Sequence, residues 1–349
     1  MQGIVITGPG TFEYRTDLPD PIPGPGEVRI RVSAAGICGT DVHIVRGDES
    51  LVKMLHPPVI LGHEFCGKVD SWGSGVSGFT AGEYVTAEMH QVCSHCRACR
   101  DGKYHACEAT KIQGLHANGA FADYVIVPAT NVVKLPSSIP VKVGAILDAL
   151  GNAVHTVSKT EVKGKIVAII GYGAIGAMAC EVARFLQASH IYIVEVNKRC
   201  LDRASAWIAR EKLESLVTVV NGKLAHAREE IVRLSSGGCD VSLEFSGAPG
   251  GINTALHITR AGGSVSLLGI PNDTDVIVKD YGRNVIMKGL TIHGVIGREM
   301  YGTWKQMISM IEQGLDISPL ITLEIPLREF ANGLKRVADR EEQKVILIP

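Results

Sequence analysis

The sequence lacks three features that would each indicate a different class of protein. No stretch of eighteen or more residues is free of charged side chains, which argues against a membrane span although apolar residues make up 46% of the chain. Lys and Arg total 35 against 36 Asp and Glu, with no basic run, which argues against a nucleic-acid partner. The first residues, MQGIVITGPGTFEYR, do not follow the pattern of a secretory signal. We therefore expect a globular cytoplasmic protein that binds neither membranes nor nucleic acid.

An even set of cysteines is also missing. The chain has nine, and without an export signal we expect the thiols to stay reduced and available for metal. Four of them crowd into the stretch CSHCRACRDGKYHAC, with the spacing C-x2-C-x2-C-x7-C. Two-residue gaps let successive sulfurs turn around one centre, and the longer gap lets the chain return to complete a tetrahedron. Four thiolates with no open position predict a structural zinc, held by Cys93, Cys96, Cys99 and Cys107.

Two other uses of these cysteines stay open. An iron–sulfur run normally has a last gap of three residues and a proline after the fourth cysteine, whereas here the gap is seven and Glu108 follows. Disulfides are the other alternative. Two histidines, His95 and His105, lie within the segment, but four sulfurs already fill a tetrahedral shell, so we expect both rings to be solvated. On the zinc interpretation the segment stabilises a loop and performs no chemistry.

A second possible metal site is spread over the segments AGICGTDVHI and LGHEFCG. The preceding stretch, EVRIRVSAAGIC, alternates apolar with polar residues, which predicts a half-buried strand that ends at Cys38. Cys38, His63 and Glu64 offer one sulfur, one nitrogen and one carboxylate, a combination that zinc accepts in catalytic sites. Each residue alone has an ordinary structural explanation, as a core thiol or a surface pair. Their joint presence beside a cysteine cluster favours a catalytic metal.

The segment GKIVAIIGYGAIGAMACEVARFLQ predicts a dinucleotide site. Its apolar run at 166–170 is typical of a strand buried on both faces of a parallel sheet, and an apolar helical pattern follows. Between them, the spacing G-x-G-x-x-G allows a tight turn, close approach of the backbone to a pyrophosphate, and packing of helix on strand. The helix N-terminus adds a favourable dipole. The predicted cofactor contacts in this segment are Gly171, Gly173, Ile175 and Gly176.

A second strand-like run, IYIVEV, bears on the choice of cofactor because Glu195 lies twenty-four residues after the first glycine. An acidic side chain there can accept both ribose hydroxyls and would repel a 2′-phosphate, which favours NAD over NADP. Lys198 and Arg199 follow closely and leave NADP open, because cations could neutralise a phosphate. The remaining predicted cofactor contacts are Arg199 itself and, at the end of the run GSVSLLGI, Leu268, Gly269 and Ile270.

Further strand-like runs at 240–247, 263–270 and 290–297 alternate with helical stretches, as in a doubly wound parallel sheet. The predicted fold class is therefore α/β, with a Rossmann domain inserted into a second domain. We place the dinucleotide domain at residues 152–294. The catalytic domain takes the two flanks, 1–151 and 295–349, and includes a cysteine lobe at about 90–110.

These segments together resemble the zinc-containing medium-chain alcohol dehydrogenases. The shared stretches include CGTDVHI, GHE and the four-cysteine lobe, and the resemblance runs from about residue 25 to the C-terminus. Within the family, GNAVHT and GREMYGTWKQMISMIEQGLDISPLIT are most similar to members that oxidise L-threonine. The resemblance implies a mainly β, GroES-like catalytic domain beside the Rossmann domain. It also implies one catalytic and one structural zinc per subunit of a homotetramer.

The resemblance makes Cys38, His63 and Glu64 ligands of the catalytic zinc, and Asp148 an acidic fourth ligand that can bind or release it. The implied activity is hydride transfer from the secondary alcohol of L-threonine to NAD, giving 2-amino-3-oxobutanoate. A polyol or another amino alcohol is the alternative small-molecule substrate. A non-catalytic protein on the same fold is a further alternative, against which the complete ligand set argues.

Four other residues match positions of the family, and each has a structural alternative. Thr40 and His43 match positions that pass the alcohol proton towards solvent, but Thr40 could cap a helix and His43 could lie on its surface. His90 matches a position near the substrate, and could instead pack beneath the cysteine lobe. Trp304 could serve either internal packing or a subunit interface.

Overall fold

The computed structural model describes residues 1–48, 52–271 and 275–349. The chain divides into two compact units, one of Met1–Ala149 with Glu299–Pro349 and the other of Leu150–Arg298. None of the helices in the described ranges combines the length and hydropathy that a membrane crossing needs.

Strands are numbered along the chain. They are β1 Gly3–Gly8, β2 Thr11–Arg15, β3 Glu27–Gly36, β4 Val59–Ile60, β5 Glu64–Trp72, β6 Tyr84–Ala87, β7 His90–Gln91, β8 Lys111–Ile112, β9 Tyr124–Pro128, β10 Val132–Lys134, β11 Ile166–Ile170, β12 His190–Glu195, β13 Val217–Asn221, β14 Cys239–Glu244, β15 Thr259–Leu267, β16 Thr291–Gly294, β17 Leu323–Pro326 and β18 Val345–Ile348.

The α-helices are numbered in the same way. They are α1 Gly39–Arg46, α2 Arg97–Arg100, α3 Val141–Gly144, α4 Leu147–Val157, α5 Ala174–Phe185, α6 Lys198–Glu211, α7 Ala227–Leu234, α8 Pro249–Ile258, α9 Gly302–Glu312 and α10 Phe330–Ala338. Short 3₁₀ turns occupy Tyr104–Ala106, Ala129–Asn131, Ser318–Leu320 and Leu327–Glu329, and a π-helical turn occupies Gly282–Ile286.

The second unit contains a six-stranded sheet whose strands run in the order β13-β12-β11-β14-β15-β16, with every neighbouring pair parallel. This is the strand order of a doubly wound dinucleotide fold. The central strand β11 is apolar along its whole length and almost completely buried, because helices cover both faces of such a sheet. The predicted Rossmann domain is confirmed.

The first unit is built mainly on antiparallel pairs. Its largest sheet runs β10-β6-β5-β3-β18-β17, with β9 also paired to β3. The C-terminal strand β18 pairs with the end of β3, at Ile346 opposite Gly36 and Leu347 opposite Ala35. Residues from the end of the chain therefore lie beside the segment that leads to Cys38.

The predicted strand ending at Cys38 is wrong by two residues, since β3 ends at Gly36. Cys38 has extended backbone angles, φ −102° and ψ 158°, and is the N-cap of α1. The Asp41 carboxylate accepts a hydrogen bond from the Cys38 N–H at 2.8 Å, the return contact of a capping box. This local cap starts the helix and ends the strand.

Candidate active site

The register of two strands brings the dispersed metal-ligand candidates together. Gly36 at the end of β3 lies opposite Glu64 at the start of β5, so Cys38, two residues further on, faces His63 and Glu64. The donor atoms of these three residues all lie within 4.8 Å of one another. His63 is 2% exposed and Glu64 is completely buried. The fold thus gathers one sulfur, one nitrogen and one carboxylate around a single point.

Only glycine fits at position 36, because the backbone passes close to the Glu64 carboxylate. A Cβ atom at this position would lie 2.6 Å from Glu64 Oε2 and 3.2 Å from Lys344 Cε. Any side chain here would push the carboxylate away from its position.

Buried polar atoms that lack a hydrogen-bond partner show whether a metal ion fits at this point. Glu64 Oε1 and His63 Nδ1 are buried and have no hydrogen-bond partner among the residues that the structure describes. A buried carboxylate oxygen without a donor costs more than a typical hydrogen bond contributes. A cation would satisfy it, and the S, N, O donor set suits zinc. The residues therefore fit a zinc ion.

The electrostatics around this point favour added positive charge. Burial works to lower the pKa of His63, but Cys38 and the nearby carboxyl groups of Asp41 and Asp148 together raise it to about 10. Burial raises the pKa of Glu64, against the opposing effect of Lys344. It likewise raises the pKa of Asp41. Burial raises the pKa of the two carboxyl groups, and the negative charge gathered around His63 raises the pKa of its ring.

Asp148 lies in the first turn of α4 and is 6% exposed. Its charge acts on His63 and on Glu64. The group of metal-donor atoms within 4.8 Å of one another at this site consists of Cys38, His63 and Glu64. Asp148 does not belong to that group.

Two residues next to the ligand set were missed by the sequence analysis. Asp41 is completely buried, with Oδ1 3.8 Å from His63 Nδ1, and the acidic residue three positions after Cys38 was a recognisable capping signal. Lys344 is 2% exposed, contacts Glu64 Oε2 and donates a hydrogen bond to the Ile37 carbonyl at 3.0 Å. No local sequence pattern predicts the position of Lys344, because only the pairing of β18 with β3 brings this residue next to Glu64.

The two relay candidates lie one turn apart on α1. Thr40 Oγ1 is 3.7 Å from the Cys38 sulfur. The structural alternative for Thr40 is wrong, because Cys38 and not Thr40 is the N-cap. The His43 side chain is 43% exposed, and its Nδ1 contacts Asp48 Oδ2. One candidate is therefore next to the ligand set and the other reaches solvent.

His90 belongs to a buried hydrogen-bond network. Its Nδ1 is 2.8 Å from Glu88 Oε1, and Glu88 is 1% exposed. The other oxygen of Glu88 accepts a hydrogen bond from the Trp304 indole N–H at 2.9 Å. Asn131 donates to the carbonyls of both Glu88 and His90, each at 2.8 Å. Trp304 is 2% exposed, so it serves internal packing within the chain.

The four clustered cysteines also converge. Their sulfurs lie within 4.8 Å of one another, and all four are free thiols. Cys107 Sγ is 3.6 Å from Cys93 Sγ and 4.0 Å from Cys96 Sγ, far beyond the ~2.05 Å of a disulfide. The disulfide alternative is therefore wrong. Although burial opposes it, backbone N–H groups of Cys93 and Ala109 lower the pKa of Cys107 to about 6, which favours the thiolate that binds metal.

The glycine-rich turn of the second unit is as tight as its spacing predicts. A Cβ atom at Gly176 would lie 2.0 Å from the Gly171 carbonyl oxygen. Gly171 has φ +94°, in the region that favours glycine. Gly173 is the N-cap of α5, and Ile175 lies half-buried in its first turn. The turn therefore leaves the N-terminus of α5 close to β11, as a pyrophosphate site requires.

Glu195 links this turn to the end of β12 through hydrogen bonds from backbone N–H groups. Its Oε2 accepts a hydrogen bond from Tyr172 N at 2.7 Å, and its Oε1 accepts from Val196 N at 2.6 Å and Asn197 N at 2.8 Å. Arg199 is exposed.

The remaining cofactor candidates follow β15. Leu268 and Gly269 are half-buried, Ile270 is 84% exposed, and Leu268 N donates to the Glu244 carbonyl at 3.0 Å. Parallel strands end at one edge of their sheet, so all these candidates lie at the edge where such folds bind dinucleotides.

Comparison with known proteins agrees with this chemistry. The family patterns described as Alcohol dehydrogenase GroES-like domain and Zinc-binding dehydrogenase match residues 24–137 and 174–313. A relative from Proteus mirabilis, named L-threonine 3-dehydrogenase, is 40% identical over 334 residues, covering 96% of this chain and 95% of the relative. This chain belongs to the zinc-binding alcohol dehydrogenase family. A second L-threonine 3-dehydrogenase, from Idiomarina loihiensis, is 39% identical over 341 residues with the same coverage.

Solved structures place the chain in the same family of dehydrogenases. A zinc-binding dehydrogenase from Sinorhizobium meliloti, bound to NADP, has a TM-score of 0.90 and 28% identity, covering 100% of this chain and 99% of that one. The 2R,3R-butanediol dehydrogenase from Bacillus subtilis has a TM-score of 0.87 and 25% identity with the same coverage. The predicted family and fold are confirmed. As a zinc-binding alcohol dehydrogenase, the chain is an oxidoreductase that uses zinc and NAD or NADP on a small-molecule substrate.

Proposed function

We propose that this dehydrogenase oxidises the secondary alcohol of L-threonine, with NAD as hydride acceptor and 2-amino-3-oxobutanoate as product. The proposal rests on the convergence of Cys38, His63 and Glu64 within 4.8 Å. It is supported by the chain's 40% identity, over 96% of its length, to a curated L-threonine 3-dehydrogenase.

The ligand set leaves a position for the substrate. Three protein ligands are the usual number in a catalytic zinc site, where the fourth position stays open. A zinc ion held there supplies Lewis acidity, which makes an alcohol far more acidic and so ready to release hydride. Asp148, buried nearby, is the proposed acidic residue that can join or leave this set. The four cysteines of the lobe hold a second, structural zinc.

Thr40 and His43 move the alcohol proton. Thr40 Oγ1 is 3.7 Å from the Cys38 sulfur, beside the ligand set. His43, one turn further along α1, is 43% exposed and paired with Asp48, so its ring can pass a proton to water. The Thr40 hydroxyl thus accepts the alcohol proton as it passes its own proton on, and the imidazole of His43 releases a proton to solvent.

His90 contacts the substrate through its Nε2 atom. Glu88 lies against Nδ1 at 2.8 Å, which fixes the ring orientation and leaves Nε2 as the nitrogen available to a ligand. Trp304 and Asn131 hold Glu88 and His90 in turn, and both contacts are internal to the first unit.

NAD is the proposed cofactor in preference to NADP. The buried Glu195 carboxylate lies at the end of β12, where it would repel a 2′-phosphate. Lys198, which could have offset that repulsion, is paired with Asp202 at 2.8 Å. Gly171, Gly173, Ile175 and Gly176 form the pyrophosphate turn, and Arg199, Leu268, Gly269 and Ile270 complete the contacts. NADP in the Sinorhizobium meliloti relative is a property of that protein.

We propose a homotetramer in the cytoplasm. Strand β16 forms one end of the six-stranded sheet, and the apolar side chains of Ile286, Met287, Ile292 and Ile296 near it are exposed. An edge strand with exposed apolar neighbours favours pairing with another chain. The reduced cysteine lobe fits a reducing compartment.

A substrate panel tests the activity. Initial rates with NAD would be measured for L-threonine, 2,3-butanediol, sorbitol and other amino alcohols, with zinc content determined on the same preparation. We expect L-threonine to give the highest kcat/KM and NAD to exceed NADP. A polyol as the best substrate would refute threonine but keep the reaction class. A fully active preparation without zinc outside the cysteine lobe would refute the catalytic site.

A further inference from the structure

A buried lysine that directly precedes the last strand lies against a metal-ligand candidate. Lys344, the residue before β18, is 2% exposed. Its Nζ donates a hydrogen bond to the Ile37 carbonyl at 3.0 Å and pairs with Glu64 Oε2. The pairing of β18 with β3 holds this residue in place. Ile37 directly precedes Cys38, and Glu64 is itself a metal-ligand candidate, so Lys344 places a fixed positive charge on Glu64.

The two oxygens of Glu64 have different surroundings. Oε2 lies against the Lys344 ammonium, and a Cβ at Gly36 would be only 2.6 Å from it. Oε1 is buried and has no hydrogen-bond partner in the part of the chain that the structure describes. The lysine therefore occupies one oxygen and leaves the other for a cation.

The charge of Lys344 opposes a larger negative charge. The acidic groups whose charges act together here are Cys38, Asp41, Glu64 and Asp148, and Lys344 is a buried cation beside them. Removing the lysine would leave one more unit of negative charge around a bound metal. It would also free the second carboxylate oxygen of Glu64. Both changes would strengthen the hold of this site on a divalent cation.

We propose that Lys344 is a positioning residue that restricts Glu64 to a single metal-binding oxygen and so keeps the substrate position open. The inference rests on the catalytic metal site of the proposed function. A carboxylate that bound through both oxygens would fill the coordination position that a catalytic site must leave free. Lys344 therefore weakens metal binding and preserves access for the substrate.

The test compares three variants for metal affinity and coordination. Lys344→Met removes the charge, Lys344→Arg keeps it, and Lys288→Met removes a lysine of the other unit that donates to three backbone carbonyls. Zinc affinity would be measured by competition with a chelator, and coordination by the visible spectrum of the Co²⁺-substituted protein. We expect Lys344→Met to bind zinc about tenfold more tightly, with weaker Co²⁺ absorption from five-coordination and a lower kcat. Lys344→Arg and Lys288→Met should resemble the parent.

The outcomes separate this inference from the function on which it rests. Equal or weaker zinc binding by Lys344→Met, with an unchanged Co²⁺ spectrum, would overturn the role of Lys344 while leaving the dehydrogenase intact. A parent protein that binds no metal outside the cysteine lobe would refute the proposed site itself. Should Lys344→Met fail to fold, Lys344→Gln serves the same test, because its amide can still donate to the Ile37 carbonyl. The same tightening is expected, and its absence would again overturn the inference.

Discussion

At the scale of single residues, buried carboxylates organise both units. Glu88, Glu181, Glu195 and Glu244 are each at most 9% exposed. Each has specific donors: an indole and a histidine for Glu88, an indole and a guanidinium for Glu181, and backbone N–H groups for Glu195 and Glu244. Buried carboxylates need such donors, because without them the charge would be desolvated and uncompensated. Glu64 differs from these four in having one oxygen without a donor in the described residues, which supports the metal-binding role proposed for it.

Two tryptophans make a matched pair for testing the His90 network. Trp304→Phe removes the N–H that Glu88 accepts at 2.9 Å, so we expect a loss of about 1–3 kcal/mol in the free energy of unfolding. Because Glu88 orients His90, kcat/KM for L-threonine should also fall. Urea denaturation and steady-state kinetics would measure the two effects.

The control is Trp207→Phe, which removes an equivalent bond to Glu181 of 2.7 Å in the other unit. It should cost similar stability and, with NAD saturating, leave kcat/KM for the alcohol within about twofold, because neither Trp207 nor Glu181 belongs to the hydrogen-bond network of His90. Equal kinetic effects of the two substitutions would contradict a positioning role for Glu88.

At the scale of elements, the apolar patterns identified the strands but extended beyond the last residue of each strand. The runs 240–247, 263–270 and 290–297 correspond to β14, β15 and β16, which end at residues 244, 267 and 294. Beyond each strand the sequence stays apolar while the backbone leaves the ladder to form the cofactor edge. The residues that follow the strands are not all buried, since Ile270 is 84% and Ile296 58% exposed, so an apolar run does not fix the residue at which a strand ends.

The contact of α5 with β11 depends on Gly176. Gly176→Ala would place a Cβ 2.0 Å from the Gly171 carbonyl, so the helix must move away from the turn. We expect NAD affinity to fall at least about tenfold, measured by calorimetric titration. Gly250→Ala is the matched control, because a Cβ at that helical position meets nothing within 4 Å and should leave NAD binding unchanged. NAD binding by Gly176→Ala at the parent's affinity would refute the tight-turn explanation.

The two proposed zinc ions can be removed independently. Cys99→Ser removes one ligand of the lobe, and we expect one zinc per subunit to be lost and cleavage by trypsin within residues 93–107 to increase. Cys38→Ser should lose the other zinc and all turnover, with the lobe still protected. Elemental analysis beside limited proteolysis measures both. Retention of two zincs by Cys99→Ser would contradict a structural site.

At the scale of the whole molecule, the exposed apolar edge bears on assembly. Ile292 lies on the edge strand β16, and Ile292→Lys should break a tetramer into smaller species in sedimentation velocity, because a charge there opposes strand pairing. Ile22→Lys is the control, since Ile22 is 86% exposed in the first unit and belongs to no strand. A parent that sediments as a monomer would refute the proposed homotetramer.

The sequence by itself determined what depends on neighbours along the chain. The spacing of four cysteines, the glycine turn after a buried strand and the apolar runs each act within a few tens of residues, so local geometry follows from them. The family resemblance then supplied the ligand set. Only the tertiary structure decided which distant side chains meet. Lys344 forms an ion pair with Glu64, and the indole of Trp304 donates a hydrogen bond to Glu88. Those contacts depend on strand register and on packing between segments far apart in the chain, which no local pattern encodes.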